Sequence, residues 1–199
     1  MSGNITFNPM LTTVAASSFT VSTDGYVQGT VFDDPGLRYQ IRGGFVANTV
    51  TQPVWGGLPL SVAIPANSSG IGPSLTLATT IANITGWSVF NQANNMILTP
   101  GPNVPVSTIG MGVNFIEPGC GLRLAVKCST SLLSALPGEA QNTQVQWDFT
   151  NNQLEAYVSG TALPVVVEFV SSTSKVVVYN SGTGAVTWDD AGPCAVIRV

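Results

Sequence analysis

Apolar and polar positions alternate most clearly in GLRLAVKC, residues 121 to 128, where Leu122, Leu124, Val126 and Cys128 are interleaved with Arg123, Ala125 and Lys127. A period of two puts one set on each face of an extended chain, which predicts a half-buried strand with a polar outer face. MGVNFIE (111 to 117) precedes it across PGCG, and the pair predicts a hairpin. TQVQWDF (143 to 149) and LEAYV (154 to 158) flank TNNQ as a second hairpin. PVVVEFV (164 to 170) and KVVVYN (175 to 180) flank SSTS as a third; AVTWDD follows the turn SGTG, and AVIRV (195 to 199) closes the chain as a last strand. Short strands at this spacing, divided by Gly, Pro, Asn and Ser, predict an all-β domain of the β-sandwich or jelly-roll kind, with a barrel as the related closed form.

The front half is less regular. LTLATTIANITGWSVF (75 to 90) reads as two strands broken near Asn83 or Gly86. Residues 91 to 109 hold three prolines and predict a long loop, and residues 1 to 18 lack a firm pattern and predict an N-terminal arm. The stretch 34 to 42 is the best helix candidate. Asp34 suits the N-cap, Pro35 the first helical position, and Gly43–Gly44 the stop. Asp33 and Asp34 would then lie at the positive end of the helix dipole and Arg42 at the negative end, with Arg38 and Arg42 four apart on one face.

Composition sharpens this picture. The 199 residues suffice for one domain with a sizeable core. Only 8% are charged, against roughly 25% in an average globular protein. The exposed surface must therefore be neutral and polar, or partly covered in an assembly. Six basic residues against ten acidic ones, a net charge of −4, cannot neutralise many phosphates, so no nucleic-acid partner is expected. No apolar run approaches the ~20 residues of a spanning helix, and the opening MSGNITFNPMLTT lacks a secretory pattern. The expectation is synthesis in a cytoplasm and no membrane partner. The three cysteines, Cys120, Cys128 and Cys194, form no CxxC and predict reduced, packed thiols.

Candidate chemistry is sparse. The chain has no histidine, which removes the commonest general base and metal ligand. Neither Lys127 nor Lys175 follows a nucleophile motif, and the pairs Asp33–Asp34 and Asp189–Asp190 are sequence neighbours rather than facing carboxylates. SGTG lies between strands and lacks the pattern of a phosphate loop, and no DxDxDG loop is present. No enzyme activity, cofactor or metal is expected. Binding has more material. Tryptophan and arginine are enriched at interface hot spots. Trp55, in PVWGG, is the tryptophan expected to stand exposed, and Asp33, Asp34, Arg38 and Arg42 concentrate a quarter of the sixteen charges within ten positions. These five are the partner-binding candidates.

Several stretches, taken in order, resemble a known family. GTVFDDPGLRYQIRGGFVANTVTQPVWGGLP carries an acidic pair, a proline, spaced arginines, a double glycine and a later WGG. It is similar to a segment of the cement (decoration) proteins of tailed-bacteriophage capsids. TGWSVFNQANNMILTP, VPVSTIGMGVNFIEPGCGLRLAV and TQVQWDFTNNQL resemble the central part of that family, and KVVVYNSGTGAVTWDD its C-terminal hairpin. The resemblance runs from about residue 28 to the end. It implies a non-enzymatic virion protein on the outer capsid surface, made in the host bacterial cytoplasm. Its partner would be the major capsid protein, whose capsomers it would bridge; the scarcity of repelling charge separately predicts a homo-oligomer, dimer or trimer. Another virion module, of fibre or baseplate, and a carbohydrate-binding β-sandwich are the rival readings, the latter because aromatic rings and neutral polar groups also suit sugars.

Overall fold

The structure, a computed structural model, describes residues 26–31, 40–66, 72–90 and 104–199, together with the backbone of two strands at 3–7 and 17–21. The protein is all-β; the described residues include one short α-helix and a 3-10 turn at Ile81–Asn83. Strands β1 (Gly3–Phe7) and β2 (Ser17–Val21) pair antiparallel, so the first eighteen residues contain one strand and the start of another. Five further strands are β3 (Arg42–Val46), β4 (Pro59–Ala63), β5 (Ser74–Leu77), β6 (Gly86–Val89) and β7 (Gly112–Ile116). They close into a barrel in the order β3-β5-β4-β6-β7, where alternation pointed to a sandwich or jelly roll. Only β3 and β5 run parallel. Closure leaves no open sheet edge among these five strands.

The second half builds a three-stranded sheet and a hairpin. The sheet takes the order β11-β12-β8, from β8 (Arg123–Lys127), β11 (Val166–Asn180) and β12 (Ala185–Arg198). The helix α1 (Thr130–Ala135) follows β8, and Ser129 caps it by accepting a hydrogen bond from Leu132 N. Strands β9 (Val145–Asp148) and β10 (Gln153–Ala156) form the hairpin expected around TNNQ.

Three expectations fail here for reasons of tertiary pairing. MGVNFIE and GLRLAVKC are both strands, but not partners: β7 pairs with β3 and β6 in the barrel, whereas β8 pairs with β12. PGCG is thus a crossing between sheets, fastened where Gly121 N donates to Val199 O at 2.6 Å. SSTS is no turn either. It lies inside the fifteen-residue β11, where register shifts absorb it and Ser174 Oγ accepts from Tyr26 N. Nor is the outer face of β8 open along its length: Ala125 is buried there, between the half-buried Arg123 and Lys127.

Residues 26–31 explain that last point. They bridge the two outer strands of the sheet. On β11, Gln28 N donates to Lys175 O at 2.9 Å and Lys175 N to Tyr26 O at 2.7 Å. On β8, Gly29 N donates to Ala125 O at 2.7 Å and Ala125 N to Thr30 O at 3.0 Å. This segment turns one side of the sheet into a second, smaller core of Ala125, Val176, Cys194 and Val196, with Tyr26 packed on it. The larger core runs continuously through barrel, sheet and hairpin, and includes Leu60, Trp87, Phe115, Leu124, Leu154 and Ile197.

Candidate functional site

Of the five partner-binding candidates, Asp33, Asp34 and Arg38 lie outside the described residues. Arg42 does not end a helix. It opens β3, and Gly43–Gly44 lie within that strand instead of stopping a helix. A Cβ on Gly44 would stand 2.9 Å from Leu75 Cγ, so close contact of β3 with its barrel neighbour explains this glycine without any helix cap. The Arg42 guanidinium is exposed and forms an ion pair with Glu117 at 3.0 Å.

Trp55 is not an exposed anchor. It is 3% accessible, its ring lies 5.6 Å from that of Tyr179, and its indole N–H finds no hydrogen-bond partner among the described residues. The glycines after it are explained by close packing. A Cβ on Gly56 would fall 2.8 Å from Gly29 Cα, and one on Gly57 3.0 Å from Gln28 Cγ. WGG therefore marks where the barrel loop meets the crossing segment 26–31. Gln28, fully buried, fastens that meeting: its side-chain amide donates to Gly56 O at 3.2 Å and accepts from Val177 N at 2.8 Å.

The described charges are largely engaged with one another or with turns. Glu168, at the start of β11, holds Arg198 on β12 at 3.3 Å and Arg123 on β8 at 3.8 Å, two arginines that face each other across the sheet. Lys175 pairs with Asp190 at 3.2 Å and lies 5.2 Å above the Trp188 ring. Asp189 accepts from Ala191 N. Asp148 accepts from Thr150 N at 2.8 Å, Asn151 N at 3.2 Å and Asn151 Nδ2 at 2.6 Å. Partial burial pushes its carboxyl up, but these hydrogen bonds together outweigh it and leave the pKa below the ordinary value. Burial lowers Lys127, which Asp189 and Asp148 partly oppose. It pushes the thiols of Cys128 and Cys194 up to about 12, so neither is a nucleophile near neutrality. No group of three metal-ligating side chains occurs among the described residues.

Two open clefts are formed by the described residues. One, of about 270 Å³, lies between the turn after α1 and the start of β11, with Glu168 in its wall already committed to two arginines. The other, of about 300 Å³, is lined by Thr49, Thr51 and Gln52 after β3, Thr79 after β5, and Phe149 and Asn152 in the β9–β10 turn. Its lining comes from three separate segments, 49–52, 76–79 and 149–152, and carries no charge. No periodicity or motif could have assembled it. Only the TNNQ turn was visible beforehand.

Fold and site together define an all-β protein whose described reactive groups are few and mostly committed. No family model, curated protein or solved structure matches the chain. Among the described residues no helix is long and apolar enough to cross a membrane.

Proposed function

We propose that this chain is a structural virion protein of a tailed bacteriophage, a capsid cement (decoration) protein. In this reading it binds the outside of the assembled major capsid protein shell and stabilises it by bridging capsomers. Its action is adhesion rather than catalysis, and it needs no cofactor. Support comes from the ordered resemblance of five stretches between residue 28 and the C-terminus. The single observation that carries the non-catalytic part is the disposition of charge: Arg42, Arg123, Lys175 and Arg198 are each in an ion pair within the chain. Outside the charged cluster at 33 to 42, a surface with few charges adheres through contacts that salt screens weakly. Repetition over a lattice then turns modest contacts into avidity.

The docking surface of this proposal keeps Asp33, Asp34, Arg38 and Arg42 and drops Trp55. Arg42 would exchange an exposed internal pair, worth at most ~1 kcal/mol, for a partner carboxylate at little cost. The test is to mix the purified, monodisperse protein with expanded shells that lack decoration and image them by cryo-electron microscopy. Ordered density at fixed symmetry positions and a raised shell melting temperature are expected. Bare shells in the presence of excess folded protein would overturn the reading. The Arg38→Ala/Arg42→Ala double variant should fold normally and lose most of its shell occupancy.

A further inference from the structure

The threonine-lined cleft is uncharged, and most of its polar side chains have no partner among the described residues. The side chains of Thr49, Thr51, Gln52, Thr79 and Asn152 make no hydrogen bond with any described residue, whereas Thr76 nearby is engaged with Ser61 O. The exposed Thr49, Thr51 and Thr79 and the half-buried Gln52 and Asn152 thus bring three hydroxyls and two amides, each able to donate and accept, to the lining of one concavity. Val50 and Ala78 are buried beneath it, and Phe149 contributes a half-buried ring to its wall. The volume of about 300 Å³ lies at the lower limit for small-ligand sites, which run to ~1,000 Å³.

The wall that carries Phe149 and Asn152 is set in advance. Asp148 binds the N–H groups of Thr150 and Asn151, and Asn152 takes the left-handed conformation at φ 52°. A turn held in this way loses little entropy when a ligand arrives.

We infer that this cleft binds a neutral sugar unit of an oligosaccharide. The lining discriminates among ligand classes. Anions and cations find no countercharge in it. A purely apolar ligand would strip five polar groups of water and return no hydrogen bonds, which is unfavourable. A hexose presents ring hydroxyls to hydroxyl and amide partners and an apolar C–H face to Phe149. This inference does not depend on capsid binding, and the two can fail separately.

The test is a panel of immobilised cellotriose, maltotriose, chitotriose and lactose, with sialyllactose and a sulfated disaccharide as charged controls, probed with the full chain. Retention of at least one neutral sugar, unchanged when NaCl is raised to about 1 M, is the expected result. The Gln52→Ala/Asn152→Gly double variant should bind that sugar at least about tenfold more weakly, as expected for losing two hydrogen bonds of ~1 kcal/mol each. Glycine at 152 retains the left-handed turn, and shell binding by this variant should be unaffected. In parallel, methyl resonances of Thr49, Thr51 and Thr79 should shift on titration of the wild-type protein with the retained sugar. Retention of charged controls alone, wild-type affinity in the double variant, shifts confined to other threonines, or no neutral sugar retained would each overturn the inference.

Discussion

Gly29 and Gly56 show how much of this molecule turns on single side chains. Their backbones press together so closely that a Cβ on Gly29 would come within 2.6 Å of Gly56 Cα, and Gly29 also has φ 83°. Gly29→Ala adds overpacking to a left-handed strain and should cost about 2–5 kcal/mol in denaturant unfolding. Gln28→Ala should cost about 3 kcal/mol, because Val177 N and Gly56 O lose their partner in a buried place. Trp55→Ala, far from selectively weakening a docking surface, should remove about 3–5 kcal/mol of stability. Trp55→Phe should cost much less, since it also deletes a buried N–H that has no partner among the described residues. Thiol labelling offers a further check. With Cys128 and Cys194 wholly buried and Cys120 partly accessible, native protein should react at one site at most, and at three once unfolded.

At the scale of elements, pairing overrides pattern. Alternation in KVVVYN and AVTWDD marks strands correctly, and SGTG is the hairpin turn that joins them, with Asn180 opposite Ala185. Yet β11 and β12 each continue through a stretch that reads as a break. SSTS and AGPC are carried as register shifts within the β11–β12 pair, with Pro193 O accepting from Cys128 N next to β8 and Ser174 Oγ from Tyr26 N of the crossing segment. The β9–β10 turn supplies a pH prediction. The Asp148 carboxyl is held below its ordinary value in the folded state, so over that interval the folded chain binds fewer protons than the unfolded one. Its contribution is complete above the unfolded-state value and is lost as pH falls through the folded one. Asp148→Asn should flatten that part of an acid unfolding titration, and amide protection at Thr150 and Asn151 should fall with it. The cap at Ser129 is a smaller lever: Ser129→Ala should cost ~1 kcal/mol, read from the thermal midpoint.

At the scale of the molecule, three ring contacts among the described residues stitch the barrel side to the rest: Trp87 to Trp147 at 5.2 Å, Trp55 to Tyr179 at 5.6 Å, and Phe90 to Trp188 at 5.6 Å. All four tryptophans thus lie at seams between elements. A fold held by apolar seams and few exposed ion pairs should change little in melting temperature between low and high salt, apart from general salting effects. The sequence by itself determined the all-β class, most strand positions, the scarcity of reactive groups and the reduced thiols, because alternation, turn residues and composition act locally or by simple count. Only the tertiary structure decided that five strands close into a barrel, that Trp55 and the centre of both faces of β8 are covered, and that an uncharged cleft gathers side chains from three distant segments. Those outcomes depend on which strand edges meet and which backbones can approach one another, and such long-range contacts leave no periodic trace in the chain.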